Sequence, residues 1–246
     1  MAGHSKWANI KHRKAAQDSK RSKIFTKLLK EITVSAREGG PDEESNARLR
    51  LAVRTAKKNS LPKDTIERAI KKGSGSEGGD YKEITYEGYA PNGVAVFVEC
   101  ATDNINRSVA SVRSIFSKGG GSLGTNGSVD YMFDRKGVFT VKEEDVNIDE
   151  DDFMLEIIDA GAEDVEHEDG FYQITTALED YGNVNSKLEE LKIDAENSEV
   201  SRIPNLTVEL DVAAAQQALK VIDKLEDDDD VQKVFHNLEM TDALAA

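Results

Sequence analysis

The 246-residue chain has one cysteine, four prolines and one tryptophan. Because Cys100 has no second cysteine to pair with, an intramolecular disulfide and a thiolate metal cluster are excluded. No apolar run approaches the ~20 residues that a membrane-spanning helix needs. The amino terminus is basic but has no apolar segment after it, which argues against a secretory signal. These absences predict a cytoplasmic protein with no membrane partner.

Recognisable catalytic and metal-binding motifs are also missing. The four histidines lack the spacing of a metal site, and no serine, cysteine or threonine lies in a known nucleophile motif. The acidic runs 143–152 and 226–230 lack the glycine and spaced ligands of a calcium loop, so we interpret them as solvated surface. The glycine-rich loop 119–124 follows a helix and leads into a strand, unlike a P-loop. We predict no catalytic residue, metal, cofactor or small-molecule substrate.

Positive charge is concentrated at one end of an otherwise acidic chain. Residues 1–72 contain 19 Lys or Arg and 8 Asp or Glu, whereas residues 73–246 contain 13 and 39. The first thirty residues alone hold nine Lys or Arg against one acid, although the whole chain has a formal net charge of −15. A charge run is often only a solvated helix face. Its confinement to one part of an acidic chain instead favours a polyanionic partner, and indicates nucleic acid.

Helical periodicity dominates residues 21–72. Apolar residues recur at helical spacing from residue 21 to the glycines at 39 and 40, where a first helix ends. A second helix can be capped by Asp42, Ser45 or Asn46. Pro62 suits the first turn of a third helix, which Gly73 can close. Residues 73–80 have the composition of a flexible linker.

Beyond the linker the period changes to that of strands. Residues 81–134 fit the order β-β-α-β, with the last strand at 128–133. Residues 135–205 fit β-α-β-β-α-β, the ferredoxin-like order. Residues 206–246 supply the helix and strand that the first of these units lacks. We therefore predict an α+β protein with three domains: a basic three-helix domain (1–75), an α+β domain (81–134 plus 206–246), and a ferredoxin-like α+β domain (135–205) inserted in the second.

The chain opens with MAGHSKWANIKHRKAAQD and, from residue 23, KIFTK. These residues resemble the amino-terminal signature of the YebC/PmpR family. Shorter motifs agree: Tyr86-Glu87-Gly88-Tyr89, Thr102-Asp103-Asn104 and Phe116-Ser117-Lys118. The resemblance implies a helical domain followed by two α+β domains, no catalysis, and the bacterial cytoplasm. It also implies a DNA-binding transcriptional regulator or, as for some members, a ribosome-associated factor that helps translation through stretches such as proline runs.

The candidate site is the basic amino-terminal region. Lys and Arg there can neutralise phosphates, and Trp7 and His12 can stack on unpaired bases. Arg107, expected to be exposed in the first turn of a helix, is a candidate partner contact. The resemblance assigns nucleic-acid binding to the basic signature, and Lys27 of the following helix extends it: Lys6, Lys11, His12, Arg13, Lys14, Lys20, Arg21, Lys23 and Lys27.

Three functions remain open from the sequence. The first is a transcriptional regulator on duplex DNA, and the second is a translation factor that binds ribosomal RNA or tRNA and relieves stalling. The third is a protein–protein adaptor whose basic domain docks on its own acidic domains. No helix-turn-helix pattern with base-reading side chains is present. The lysine-rich charges suit backbone contacts more than base readout, which favours loosely specific DNA binding or RNA.

Overall fold

The computed structural model describes residues 21–75, 81–241 and Leu244. These residues form seven α-helices and two four-stranded sheets, which confirms the α+β class with an amino-terminal helical region. Of the helices described, none is both long and apolar enough to cross a membrane. The described chain divides into two compact units, one formed by Met132–Asn205 and the other by the residues before and after that stretch.

Three helices build the amino-terminal region: α1 (Arg21–Gly39), α2 (Ala47–Lys58) and α3 (Lys63–Ser74). Asn46 caps α2, because its side-chain oxygen accepts the Leu49 N–H at 3.0 Å, as expected for one of the three candidate caps. Each helix contributes one apolar stripe to a common core, which includes Ile32, Ala36, Leu49, Val53, Ala56, Ile66 and Ala69.

Gly73 does not end the third helix as predicted, since α3 continues through it to Ser74. A Cβ atom at Gly73 would lie 2.2 Å from the Thr33 carbonyl oxygen and 3.0 Å from the Ala36 Cβ atom. The glycine therefore permits α1 and α3 to cross closely.

The remaining regular elements are eight strands and four helices. In chain order they are β1 (Lys82–Tyr89), β2 (Ala95–Thr102), α4 (Ile105–Lys118), β3 (Ser122–Leu123), β4 (Phe133–Lys142), α5 (Glu150–Asp159), β5 (Ala162–Glu168), β6 (Phe171–Thr176), α6 (Tyr181–Glu190), β7 (Asn197–Pro204), α7 (Val212–Glu226) and β8 (Val231–His236).

The first sheet has the strand order β3-β1-β2-β8, with every pair antiparallel. Strand β8 comes from the last residues of the chain and pairs with β2, so that Val98 lies opposite Val234. Helices α4 and α7 pack on this sheet. Their shared core includes Val96, Val98, Phe116, Val221, Leu225 and Val234.

The second sheet has the order β5-β6-β4-β7 and lies within the compact unit Met132–Asn205. Its element order, β-α-β-β-α-β, is the predicted ferredoxin-like order. Helices α5 and α6 cover it, and their core includes Phe139, Phe153, Ile157, Tyr172, Ile174 and Val184.

The strand predicted at 128–133 is wrong. This segment forms turns and a short 3-10 helix, and β4 begins only at Phe133. The N–H groups of Gly127, Val129 and Asp130 donate to the Glu87 carboxylate at 2.6, 2.7 and 2.9 Å. These donors are therefore used by a buried side chain and not by a neighbouring strand. The short strand β3 occupies the sheet edge beside β1 instead.

Candidate nucleic-acid interface

Three lysines of α1 bind the C-terminal end of α7. The Lys23 Nζ atom donates to the Asp227 carbonyl at 3.2 Å and pairs with its Oδ1 atom at 3.2 Å. The Lys27 Nζ atom donates to the Glu226 carbonyl at 2.8 Å. The Lys30 Nζ atom donates to the Asp229 carbonyl at 2.6 Å and pairs with Asp230 Oδ1 at 3.3 Å. We call this set of interactions the α1–α7 contact.

Local chain geometry explains why this contact forms. The three lysines are spaced by four and three residues, which places them on one face of α1. The last carbonyls of a helix have no partner within the helix and carry its negative dipole charge. An acidic run that follows such an end strengthens the attraction for lysine.

Asp230 lies at the buried end of the α1–α7 contact, which we call its inner end. Its carboxylate is bound by both the Nε and the Nη2 atoms of Arg107, with Nε to Oδ2 at 3.0 Å and Nη2 to Oδ1 at 2.8 Å. The side chains of Lys30 and Asp230 are only 9% and 7% exposed. Although burial opposes ionisation, Arg107 and Lys30 hold the pKa of Asp230 below its usual value. The interpretation of 226–230 as solvated surface is therefore wrong for this residue.

Lys27 lies between Lys23 and Lys30 in the α1–α7 contact and is half-buried. Burial lowers the pKa of its ammonium group, although the nearby charges of Glu226 and Asp227 act in the opposite direction. The Lys27 side chain is therefore held where its positive charge is costly.

The predicted site residues fall into two groups. Lys23 and Lys27 lie in the α1–α7 contact, and Arg107 pairs with Asp230 and with Asp103. Arg21 begins α1. The nucleic-acid role of these residues stays a prediction, as does the partner contact at Arg107. The other candidates lie outside the described residues: Lys6, Lys11, His12, Arg13, Lys14 and Lys20.

Helices α2 and α3 carry a second concentration of positive charge, which the signature did not include. Together they hold nine Lys or Arg and two Asp or Glu. Seven of the nine cations are exposed: Arg50, Lys57, Lys58, Lys63, Arg68, Lys71 and Lys72. We call these seven residues the α2–α3 basic surface. Their polar positions on amphipathic helices were the signal in the sequence that could have identified them.

Arg48 joins the helical region to the first sheet. It donates to Glu31 of α1 at 2.7 Å, to Glu38 at 2.7 Å and to Glu83 of β1 at 2.5 Å. Hydrogen bonds from Arg48 lower the pKa of the Glu83 carboxyl, although burial opposes this. Arg48 is thus engaged within the protein and leaves the surrounding cations of α2 and α3 to form the basic surface.

A cluster of metal ligands and a reactive cysteine are both missing from the part of the chain that the structure describes. There, no three His, Cys, Asp or Glu side chains are grouped in a way that could hold a metal ion. Cys100 is buried in β2, and burial raises the pKa of its thiol to about 12, so the reactive thiolate is disfavoured.

Comparison with known proteins assigns the family. The model of the TACO1/YebC amino-terminal domain matches residues 5–76, and the model of the TACO1/YebC second and third domains matches residues 81–238. The chain belongs to the TACO1/YebC family. The resemblance seen in the opening residues is therefore confirmed over most of the chain.

Relatives within the family are similar over their whole length. A probable transcriptional regulatory protein of Bacillus licheniformis is 56% identical over 97% of this chain and 100% of its own. One from Idiomarina loihiensis is 52% identical over 100% and 98%. A crystal structure of a conserved hypothetical protein from Aquifex aeolicus is 43% identical, with a TM-score of 0.82 over 92% of this chain and 93% of that chain. Both bacterial relatives are named as probable transcriptional regulatory proteins.

Proposed function

We propose that the chain is a non-enzymatic regulatory protein that binds duplex DNA through its amino-terminal helical region and the basic residues that precede it. The observation that supports this best is the α2–α3 basic surface, which is exposed on a chain with a formal net charge of −15. Lysine and arginine that neutralise phosphates release condensed counterions, which drives binding. Relatives named as probable transcriptional regulatory proteins agree with this proposal.

The chemistry of the basic surface favours contacts with the phosphate backbone. Five of its seven cations are lysines, which act as point charges without the bidentate geometry that reads guanine. The two arginines are partly engaged with their own backbone: Arg50 donates to the carbonyls of Glu43 and Glu44 at 3.3 Å, and Arg68 donates to the Asp64 carbonyl at 3.0 Å. We therefore expect binding of low sequence specificity.

A second candidate follows from the same observation. A surface that recognises phosphates does not distinguish DNA from RNA, so a ribosome-associated factor that binds ribosomal RNA or tRNA has the same physical support. Under this alternative the protein acts on translation, for example by relieving stalling at proline runs. Which of the two functions applies depends on whether the protein binds duplex DNA or ribosomal RNA more tightly.

The deciding experiment compares binding to ribosomes and to duplex DNA across a salt series. We expect tight binding to DNA, with log K falling linearly against log salt concentration. The double variant Lys63→Ala/Lys71→Ala should flatten this slope by about 1.8, at about 0.9 for each lost phosphate contact. The control Lys118→Ala/Lys220→Ala makes the same charge change at exposed lysines of α4 and α7 and should leave the slope unchanged.

The possible outcomes separate the candidates. Retention on ribosomes at salt concentrations that abolish DNA binding would replace the DNA proposal with the translation factor. A slope that changes equally in both double variants would show that binding responds only to net charge. Absence of binding to both polyanions would favour the protein–protein adaptor.

A further inference from the structure

The α1–α7 contact resembles, in its chemistry, a lysine-rich helix on a phosphate backbone. The three ammonium groups of α1 meet a row of oxygens: the carbonyls of Glu226, Asp227 and Asp229 and the carboxylates that follow. Phosphate oxygens would accept the same hydrogen bonds and supply the same negative charge. A nucleic acid and the end of α7 cannot occupy these lysines at the same time.

The two ends of the α1–α7 contact differ in burial. At the inner end the side chains of Lys30 and Asp230 are almost fully buried, and Arg107 adds two bonds to the same carboxylate. At the outer end the side chains of Lys23 and Asp227 are 41% and 39% exposed. Exposed ion pairs contribute little, whereas breaking a buried pair is strongly unfavourable. The outer end is therefore the part that can open.

Lys27 connects these two ends. Its ammonium group donates to the Glu226 carbonyl in a half-buried site, and this partial burial lowers the pKa of the ammonium group. Movement of the outer end would return this charge to a polar environment and make it available to an external anion.

On these grounds, and building on the proposed binding of nucleic acid, we propose that the C-terminal end of α7 is an intramolecular competitor for the lysines of α1. In the free protein Asp227 and the Glu226 carbonyl hold Lys23 and Lys27. Nucleic acid that engages α1 displaces this outer end, while Lys30, Asp230 and Arg107 keep the inner end in place. Only nucleic acid that offers enough phosphate contacts to compensate for the lost interactions gains access to α1.

Zero-length cross-linking with a carbodiimide tests this competition directly. The reagent joins amine to carboxylate where they are in contact, and the Lys23 Nζ and Asp227 Oδ1 atoms are 3.2 Å apart. Lys136 and Glu163, with Nζ and Oε2 2.7 Å apart, are an internal control in the second sheet. Quantitative mass spectrometry gives the ratio of the two cross-links with and without duplex DNA, and a gel shift on the same samples gives the fraction of protein bound.

We expect saturating duplex DNA to lower the Lys23–Asp227 cross-link at least threefold relative to the Lys136–Glu163 cross-link. An unchanged ratio in samples that are fully bound would overturn the competition and leave the proposed binding of DNA intact. Absence of a gel shift with DNA, and with ribosomal RNA in a parallel series, would reject both proposals. The two failures are therefore distinguishable.

A pair of charge variants provides an independent readout. Asp227→Asn removes the carboxylate that pairs with Lys23, and Asp223→Asn removes an exposed carboxylate one turn earlier in α7. Both raise the net charge by one. We expect Asp227→Asn to bind duplex DNA about threefold more tightly than Asp223→Asn, the range for loss of a half-exposed ion pair. Equal affinities of the two variants would contradict the proposal.

Discussion

The carboxylate of Glu87 organises the loop that follows β3. It is buried in β1 and accepts the N–H groups of Gly127, Val129 and Asp130. Bonds from backbone amides to an ionised carboxylate are stronger than those to a neutral acceptor. One side chain thus satisfies three donors that no strand partner reaches.

We expect Glu87→Gln to lower the free energy of unfolding by about 2–3 kcal/mol, because the amide turns an NH₂ group toward N–H donors and leaves them unsatisfied. Urea unfolding followed by circular dichroism measures the difference. The exposed Glu209→Gln is the matched control and should change the free energy by less than about 0.5 kcal/mol. Similar values for both variants would mean that the Glu87 bonds contribute little net stability.

Asp230 predicts a specific pH dependence. Its pKa is lower in the folded protein than in the unfolded chain, so its ionised form stabilises the fold above about pH 4. This contribution is lost as the pH falls through the lowered pKa. We expect Asp230→Asn to reduce the free energy of unfolding by about 1–3 kcal/mol at pH 7, between the values for exposed and buried ion pairs.

The test is urea unfolding of Asp230→Asn and the unsubstituted protein between pH 3 and pH 7. The gap between them should narrow below about pH 4, as Asp230 is protonated first in the unfolded chain and then, at its lowered pKa, in the folded protein. Asp223→Asn, which removes an exposed carboxylate of α7, serves as the control, and its difference from the unsubstituted protein at pH 7 should stay below about 0.5 kcal/mol. A gap of constant size for Asp230→Asn would show that its charge is not what stabilises the contact.

At the scale of elements, the close crossing of α1 and α3 depends on Gly73. Replacing Gly73 with alanine gains helix propensity of about 1 kcal/mol but forces a methyl group against the Thr33 carbonyl, and overpacking of this kind costs about 1–3 kcal/mol. We expect net destabilisation of up to about 2 kcal/mol by urea unfolding. Gly182→Ala in α6, where a Cβ atom would meet nothing within 4 Å, should be neutral or slightly stabilising.

The helices could be predicted from the sequence because their signals are local. Apolar stripes and the Asn46 cap act within a few residues of each other, and α1, α2 and α3 follow from them. The segment 128–133 misled the prediction because its alternating apolar residues imitate a strand. The N–H groups of Val129 and Asp130 in this segment donate to Glu87, some 40 residues earlier in the chain. No local sequence pattern reveals that interaction.

The candidate site was only partly predictable for the same reason. Basic composition and the opening signature identify the right region of the chain, but the acceptors of Lys23 and Lys27 lie about 200 residues later. One function left open by the sequence was docking of the basic domain on the acidic domains. The sequence did not indicate which lysines would take part. The polar faces of the predicted helices α2 and α3 indicate their basic surface, but the opening signature does not include it.

At the scale of the whole molecule, the charge asymmetry predicts how binding depends on salt. We expect the triple variant Lys11→Ala/Arg13→Ala/Lys14→Ala to weaken binding of nucleic acid and to flatten the salt slope by about 2–3 units, at about 0.7–0.9 for each contact. Fluorescence anisotropy across a salt series measures the slope. The triple variant Lys118→Ala/Lys220→Ala/Lys224→Ala, with the same charge change at exposed sites, should retain it. An unchanged slope in the first variant would exclude those three residues as phosphate contacts.

The strand order of the first sheet also has a consequence during biosynthesis. The side chain of Asn237 accepts the Ala95 N–H from 142 residues away, and β8 leaves the ribosome after the other strands of this sheet. Because synthesis adds roughly 5–20 residues per second, one edge of β2 stays unpaired for many seconds. The acceptors for the α1 lysines emerge only shortly before β8. During synthesis, helices α1, α2 and α3 therefore emerge next to the ribosome before the end of α7, which will contact the α1 lysines, has been made.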